Sequence, residues 1–122
     1  MQSERFNQAF LRQQSELADT LAKDLLSKTF ENRFTLHPRR LQEIAPEEVA
    51  AFTGFLSTRD LDAVQAHGEH RAHEGLGERP MLGICRILRR FSLDIAKHFD
   101  VETIEHALEI TDSYTDAYFM AI

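Results

Sequence analysis

The chain has 122 residues, of which 43% are hydrophobic and 28% are charged. This length supports one hydrophobic core but not two, so we expect a single domain over residues 1–122. Five glycines and three prolines supply too few turns for a multistranded β fold, which favours long helices. A formal net charge of −6 argues against nucleic acid as a partner, because phosphate binding needs clustered lysines and arginines.

The sequence indicates neither a membrane span nor an oxidising compartment. Its single cysteine cannot form an internal disulfide, which is typical of the reducing cytosol. No apolar run approaches the ~20 residues that cross a bilayer, and the first residues lack the apolar core of a signal peptide. We therefore expect a cytoplasmic protein that does not span a membrane.

Apolar residues at helical spacing predict one long helix over about residues 3–28, with Ser3 as its N-cap. Gln13 and Gln14 interrupt this stripe, so the first turns are expected either to pack on another chain or to fray. Residues 29–45 have no clear period, and His37-Pro38 restricts the backbone there. This segment is predicted to be a loop followed by a short helical turn.

Two further helices are predicted in the middle of the chain. Pro46 and the two glutamates that follow it are typical of a helix start, and this helix is expected to end near residue 57. The next helix covers about residues 59–74. Gly75 suits the left-handed position that follows its last turn.

The last two predicted helices complete the core. Pro80 opens the most regular apolar stripe of the chain, and this helix, over about residues 80–99, is expected at the centre of the fold. Asp100 caps the final helix, which stops in mid-pattern at residue 122 and so suggests the N-terminal part of a longer protein. The predicted fold class is an all-α bundle of about five or six helices.

Residues 71–85 resemble the segment that globin-coupled sensor domains carry on the proximal side of their haem. Gly75, Leu76 and Gly83 fall in register with that segment, and Arg71 stands where those domains have their haem-ligating histidine. The chain is still more similar to haem-less relatives, the RsbR-type N-terminal sensor domains, over about residues 50–95. The positions shared with the RsbR-type pattern in the second half of this region are Gly68, Arg71, Ala72, Glu74, Gly75, Leu82, Ile87, Leu88, Arg89 and Arg90.

The resemblance implies a globin-like helical fold without haem or another cofactor, and no enzymatic activity. Domains of this type stand at the N-terminus of bacterial signalling and stress-response proteins, dimerise, and pass a signal through their last helix to an output domain. By resemblance, we expect a regulatory sensor domain that forms a homodimer and responds to an unknown small ligand or partner protein.

Three histidines leave two alternatives open. His70 lies one residue before the position of the proximal haem ligand and His67 about one turn before it, so a register slip or a π-bulge would make either one the iron ligand of a haem-based gas sensor. A metal-binding helical bundle would instead use His70 and His73 with Glu69 or Glu74. Positions i and i+6 lie about 240° apart on a helix, so the three histidines cannot all bind one ion. Solvated surface histidines are the simpler explanation.

No catalytic residues are predicted, because the chain has no nucleophile elbow, no phosphate loop and no paired carboxylates beside a substrate site. Cys85 lies on the apolar side of the helix over residues 80–99 and is expected to be a small buried hydrophobe.

Overall fold

The structure of the protein is a computed structural model, which describes residues 2–27 and 36–120. Within these residues it contains six helices and no strand. The helices are α1 (Gln2–Arg12), α2 (Gln14–Ser27), α3 (Pro38–Thr58), α4 (Leu61–Glu74), α5 (Glu78–Ala96) and α6 (Val101–Phe119). The predicted all-α helical bundle is confirmed, whereas its globin-like character stays a prediction.

The predicted long N-terminal helix is in fact two helices. α1 begins at Gln2, so Ser3 lies inside the helix rather than at its N-cap, and the two helices are separated by a turn at Gln13. Phe6 and Phe10 are fully buried, and the Phe10 ring packs on Phe52 with ring centroids 5.1 Å apart. The expectation that the first turns would pack on another chain or fray was therefore wrong, since the break directs their aromatic face into the chain's own core.

Helix α3 begins earlier than predicted. His37 is its N-cap, with Nδ1 accepting the backbone N–H of Arg39 at 3.0 Å, and Pro46 lies inside the helix. The inward face continues on both sides of Pro46 through Leu41, Ile44, Ala45, Glu48, Val49, Phe52, Phe55 and Leu56. Burial of this face offsets the one backbone hydrogen bond that proline cannot donate. The prediction of a start at Pro46 was thus wrong, and residues 29–35 of the predicted loop lie outside the described residues.

The ends of the next helices agree with their capping signals. Asp60 caps α4 by accepting the N–H of Ala63 at 3.1 Å, and Gly75 ends it in the left-handed region with φ 100°. Asp100 caps α6 by accepting the N–H of Thr103 at 2.8 Å. The Gly75 and Asp100 boundaries predicted from the sequence are confirmed.

The helices of the bundle differ in how closely they pack on one another, and α3 contacts α4 and α6 less closely than it contacts α2. Helix α3 packs mainly on α2, whereas α6 packs closely on both α4 and α5. Helix α5 packs mainly on α6 and also contacts α1 and α2, whereas α6 contacts α1, α3, α4 and α5, so the central position predicted for α5 is not confirmed. In the part of the chain that the structure describes, none of the helices combines the length and apolarity needed to cross a membrane.

Candidate functional site

The most unusual side chain in the core is Arg71, which is fully buried on the inward face of α4. Val64, Gly68 and Arg71 share this face because they recur at helical spacing. The Arg71 guanidinium donates from Nη2 to Glu48 at 3.0 Å and from Nη1 to Glu74 at 2.8 Å. A buried arginine is tolerated only when carboxylates neutralise it, and here it has them from both α3 and its own helix.

Glu48 is the buried carboxylate at the centre of this arrangement. It lies on the inward face of α3, between Ile44 and Phe52, and is fully buried. Its Oε2 contacts Nε2 of His67 and accepts from Arg71, and its Oε1 accepts the hydroxyl proton of Tyr118. One carboxylate therefore joins α3 to both α4 and α6.

A second arginine, Arg40, connects the buried charged groups to charged side chains at the surface. Arg40, at the start of α3, donates from Nη1 to Glu47 at 2.7 Å and from Nη2 to Glu74 at 3.1 Å. Glu47 also accepts from Arg71 at 3.2 Å. We refer to these side chains together as the Glu48–Arg71 network, which comprises Arg40, Glu47, Glu48, His67, Arg71, Glu74 and Tyr118.

The electrostatics favour ionised groups at the buried end of the network. Burial alone raises the pKa of Glu48, but the hydrogen bond to His67 and the electrostatic interactions with His67 and Arg71 outweigh it and hold that pKa below its ordinary value. Burial lowers the pKa of Arg71, yet the Glu48 carboxylate outweighs this effect and raises it overall. Burial and the charge of Glu48 raise the pKa of Tyr118 well above its usual range, so its hydroxyl stays protonated and donates.

The arrangement suits positioning more than proton transfer. Glu48 is sealed from solvent and already accepts from three side chains, so it is poorly placed to take a proton from a bound substrate. Its partners instead fix three helices relative to one another.

No protein-family model matches the chain, and no curated protein or solved structure matches it.

The residues of the predicted sensor motif occupy different roles in the structure. Gly68 is buried where α4 approaches α6, and a Cβ atom added to it would lie 2.0 Å from the backbone oxygen of Tyr118. Leu76 and Gly83 are buried in the core, whereas Ala72 is half-buried. The motif therefore contributes mainly to packing between helices.

The two histidines of the haem alternative lie in different surroundings. His67 has its Nε2 engaged by Glu48, and the side chain of His70 is 67% exposed, with Nε2 4.0 Å from Glu74. These positions do not fit haem, because the nitrogen that would bind iron faces a carboxylate in one case and solvent in the other. Haem binding by this chain stays a prediction that a haem titration tests.

The metal-binding alternative also stays a prediction. His73, its second histidine, is exposed on the outer side of α4. Among the described residues, no three His, Cys, Asp or Glu side chains converge on a point that could hold a metal ion. Metal analysis of the purified chain tests this alternative directly.

Sequence reasoning missed Glu48 and Tyr118 as parts of a site. Glu48 was interpreted only as an acidic residue near a helix start, because the helix was predicted to begin at Pro46. The signal that could have identified it is its place in the apolar stripe, four residues after Ile44 and four before Phe52. A glutamate at such a position is buried and needs a buried cation, which Arg71 provides.

Proposed function

We propose that the chain is a non-catalytic regulatory domain of bacterial signal transduction, which passes a ligand or partner signal through α6 to an output domain. The observation that supports this most is the bond from Tyr118, in the last turn of α6, to the buried carboxylate of Glu48 on α3. Through this bond, the position of the C-terminal end of α6 depends on the state of the Glu48–Arg71 network.

A buried ionic network is a suitable bistable element. Its members are strongly stabilised only when all partners are present, because losing one partner leaves another charge buried without compensation. A displacement of α6 that removes the Tyr118 bond must therefore rearrange the bonds around Glu48. A ligand or partner that binds the two arrangements of the network with unequal affinity would shift their populations and move the C-terminal end of α6.

The wider proposal includes a homodimer, an output domain that α6 would contact, and a small ligand or partner protein as input. These parts come from the resemblance to RsbR-type domains. In such a dimer, the ends of two α6 helices would change their separation when the network rearranges.

A distance measurement tests the bistable element. Nitroxide labels would be attached at Gln42→Cys and Asp116→Cys, two exposed positions on α3 and α6, in a Cys85→Ala background. Double electron–electron resonance should give one distance in the parent and a second or broadened distance in Tyr118→Phe. Tyr114→Phe is the matched control, because the Tyr114 hydroxyl is buried without a hydrogen-bond partner among the described residues. The same distance distribution in all three proteins would contradict the proposal.

A chromosomal substitution tests the signalling role. The native organism carrying Tyr118→Phe should show a changed transcript profile, whereas Tyr114→Phe at equal protein level should not. Matching profiles for both substitutions would argue against signal transfer through the Tyr118–Glu48 bond.

A further inference from the structure

A pocket of about 270 Å³ lies outside the Glu48–Arg71 network, where α3 ends and α4 begins. Phe55, Arg59 and Leu61 line one side of it, and residues of α6 line the other. We refer to it as the Arg59 pocket. Its volume lies just below the range of roughly 300–1,000 Å³ for drug-sized ligand sites, which limits it to a small ligand.

The backbone of Arg59 is held in an uncommon conformation. Arg59 follows α3 with φ 55° and ψ 29°, in the left-handed region, and is the one non-glycine residue with positive φ in the described chain. Gly75 occupies the same region after α4 without strain, because it has no Cβ atom. An arginine thus stands where glycine would be the less strained residue. Strain of this kind is concentrated at functional sites.

Among the described residues, the Arg59 guanidinium has no carboxylate partner within ion-pair distance. It lies over the Phe55 ring, 5.8 Å from the centroid, and its Nη2 is 3.3 Å from Nε2 of His106. No described carboxylate lies within 4.0 Å of it, although Glu109 lines the same pocket and acts on it at longer range. Burial and the charge of Arg59 lower the pKa of His106, so the ring is neutral at pH 7 and accepts from the guanidinium. Arg59 therefore retains N–H groups that can bind an oxyanion.

Away from Arg59, His106 and Glu109, the walls of the Arg59 pocket are apolar except for one hydroxyl group. Leu61 is 49% exposed beside the pocket, and Ile110 is buried at its base. Ser113 contributes a half-buried hydroxyl that makes no hydrogen bond to another described residue. We propose that the Arg59 pocket binds a small organic carboxylate, whose carboxylate group pairs with Arg59 and whose short apolar chain covers Leu61 and Ile110. This goes beyond the proposed regulatory function and does not depend on it, because binding is measured directly.

A titration with a short fatty acid tests the binding. Hexanoate would be added to the ¹⁵N-labelled chain at pH 7 while the amides of Ile110 and Ser113 are followed by NMR. Saturable shifts with a Kd on the order of 1 mM are expected for a ligand of this size facing a nearby glutamate. The neutral isostere hexanamide should bind at least about tenfold more weakly, because it lacks the charge that pairs with Arg59. Equal affinity for the two compounds, or no saturable shift with hexanoate, would overturn the proposal.

Two substitutions with opposite expected effects on hexanoate affinity sharpen the test. Arg59→Gly removes the guanidinium and the backbone strain together, so the urea midpoint should stay equal or rise while hexanoate affinity falls at least about tenfold. Glu109→Gln removes the repelling charge and should tighten hexanoate binding about three- to tenfold. Arg89→Gln, an exposed arginine on α5 that pairs with Asp112, is the control and should leave the affinity unchanged.

The substitutions also separate a binding role from a structural one. If Arg59→Gly lowers the urea midpoint markedly, the guanidinium serves the fold through Phe55 and His106, and the proposal fails on that result. If Arg59→Gly binds hexanoate like the parent, or Glu109→Gln fails to tighten binding, charge pairing at Arg59 is wrong.

Discussion

At the scale of single residues, Arg71 stabilises the fold because it neutralises Glu48, and neither charge is tolerable alone. Replacing one member of a buried ion pair leaves the other charge buried without a partner, whereas replacing both with apolar groups often changes the free energy of unfolding little. Arg71→Met should therefore lower the free energy of unfolding by about 3–5 kcal/mol, measured by urea denaturation. Glu48→Met combined with Arg71→Met should cost less than the sum of the two single changes.

The matched control for Arg71 is an arginine in an exposed ion pair. Arg89 contacts Asp112 at 3.1 Å, and both side chains are about half exposed. Arg89→Met should change the free energy of unfolding by less than about 1 kcal/mol, because exposed pairs are screened by solvent. If Arg71→Met proves as mild as Arg89→Met, the network does not carry the stability assigned to it.

Cys85 shows how burial controls the reactivity of a single group. The sequence predicted a small buried hydrophobe, and its burial is confirmed at 3% exposure. Burial is the main cause that raises the pKa of the thiol to about 12, so almost no thiolate exists at neutral pH. A disulfide reagent such as dithiobis(nitrobenzoate) should react slowly in buffer and at full rate in concentrated urea. Rapid reaction without urea would mean that the α5–α6 region opens readily.

At the scale of helices, the contact between α4 and α6 depends on a glycine. A Cβ atom on Gly68 would lie 2.0 Å from the backbone oxygen of Tyr118, so one of the helices must move to admit it. Gly68→Ala should therefore lower the free energy of unfolding by about 2–3 kcal/mol, even though alanine favours a helix more than glycine does. Thermal and urea denaturation measure the change.

Gly54 provides the matched control on α3. It is exposed within the helix, and a Cβ atom there would have nothing within 4 Å. Gly54→Ala should raise the free energy of unfolding by about 0.5–1 kcal/mol, since it gains helix propensity without a clash. A stabilising effect of Gly68→Ala as well would mean that α4 and α6 are not closely packed.

Most of the helices could be predicted from local sequence, because their signals lie within a few residues of one another. Asp100 and Gly75 marked helix ends correctly, and the stripe after Pro80 identified α5. The start of α3 could not be predicted in the same way. Pro46 is a local signal for a helix start, whereas the helix continues through it because Leu41 and Ile44 are buried against other elements.

The candidate site was less predictable because its bonds join residues far apart in sequence. Glu48 and Arg71 are separated by 23 positions, and Glu48 and Tyr118 by 70. No spacing rule links such residues, since helix periodicity assigns a face to each one but not the helix opposite it. Arg71 was recognised as informative through the family resemblance, but its partners were not.

At the scale of the whole molecule, the Glu48–Arg71 network joins α3 to α4 and α6, two helices that α3 contacts less closely than it contacts α2. Helix α3 packs mainly on α2, and α4 mainly on α6, so few close backbone approaches connect α3 to α4. Aromatic packing of Phe52 and Phe55 on Tyr114 supplies one connection between α3 and α6, and the Glu48–Arg71 network supplies another. The aromatic contact does not depend on pH, whereas the ionic one does.

The ionic connection should therefore control the stability of the whole domain in acid. Hydrogen bonds from Arg40 lower the pKa of Glu47 and of Glu74, and the charges and bonds around Glu48 lower its pKa despite burial, each from an ordinary value of 4.5. A carboxyl whose pKa is lower in the folded than in the unfolded state stabilises the fold above the unfolded value and loses that contribution as pH falls through the folded value. The free energy of unfolding should thus fall steeply below about pH 4.5, as measured by urea denaturation between pH 7 and pH 3.

The Glu48→Gln variant isolates the buried member of the network. It should be less stable than the parent at pH 7, because Arg71 loses its buried counter-charge, but it should lose less stability between pH 5 and pH 3. The difference in that loss should be on the order of 1 kcal/mol or more. Glu69→Gln, at an exposed position on α4, is the control and should follow the parent curve. Parallel curves for Glu48→Gln and the parent would show that acid unfolds the domain through other carboxylates, and that the network does not set its pH dependence.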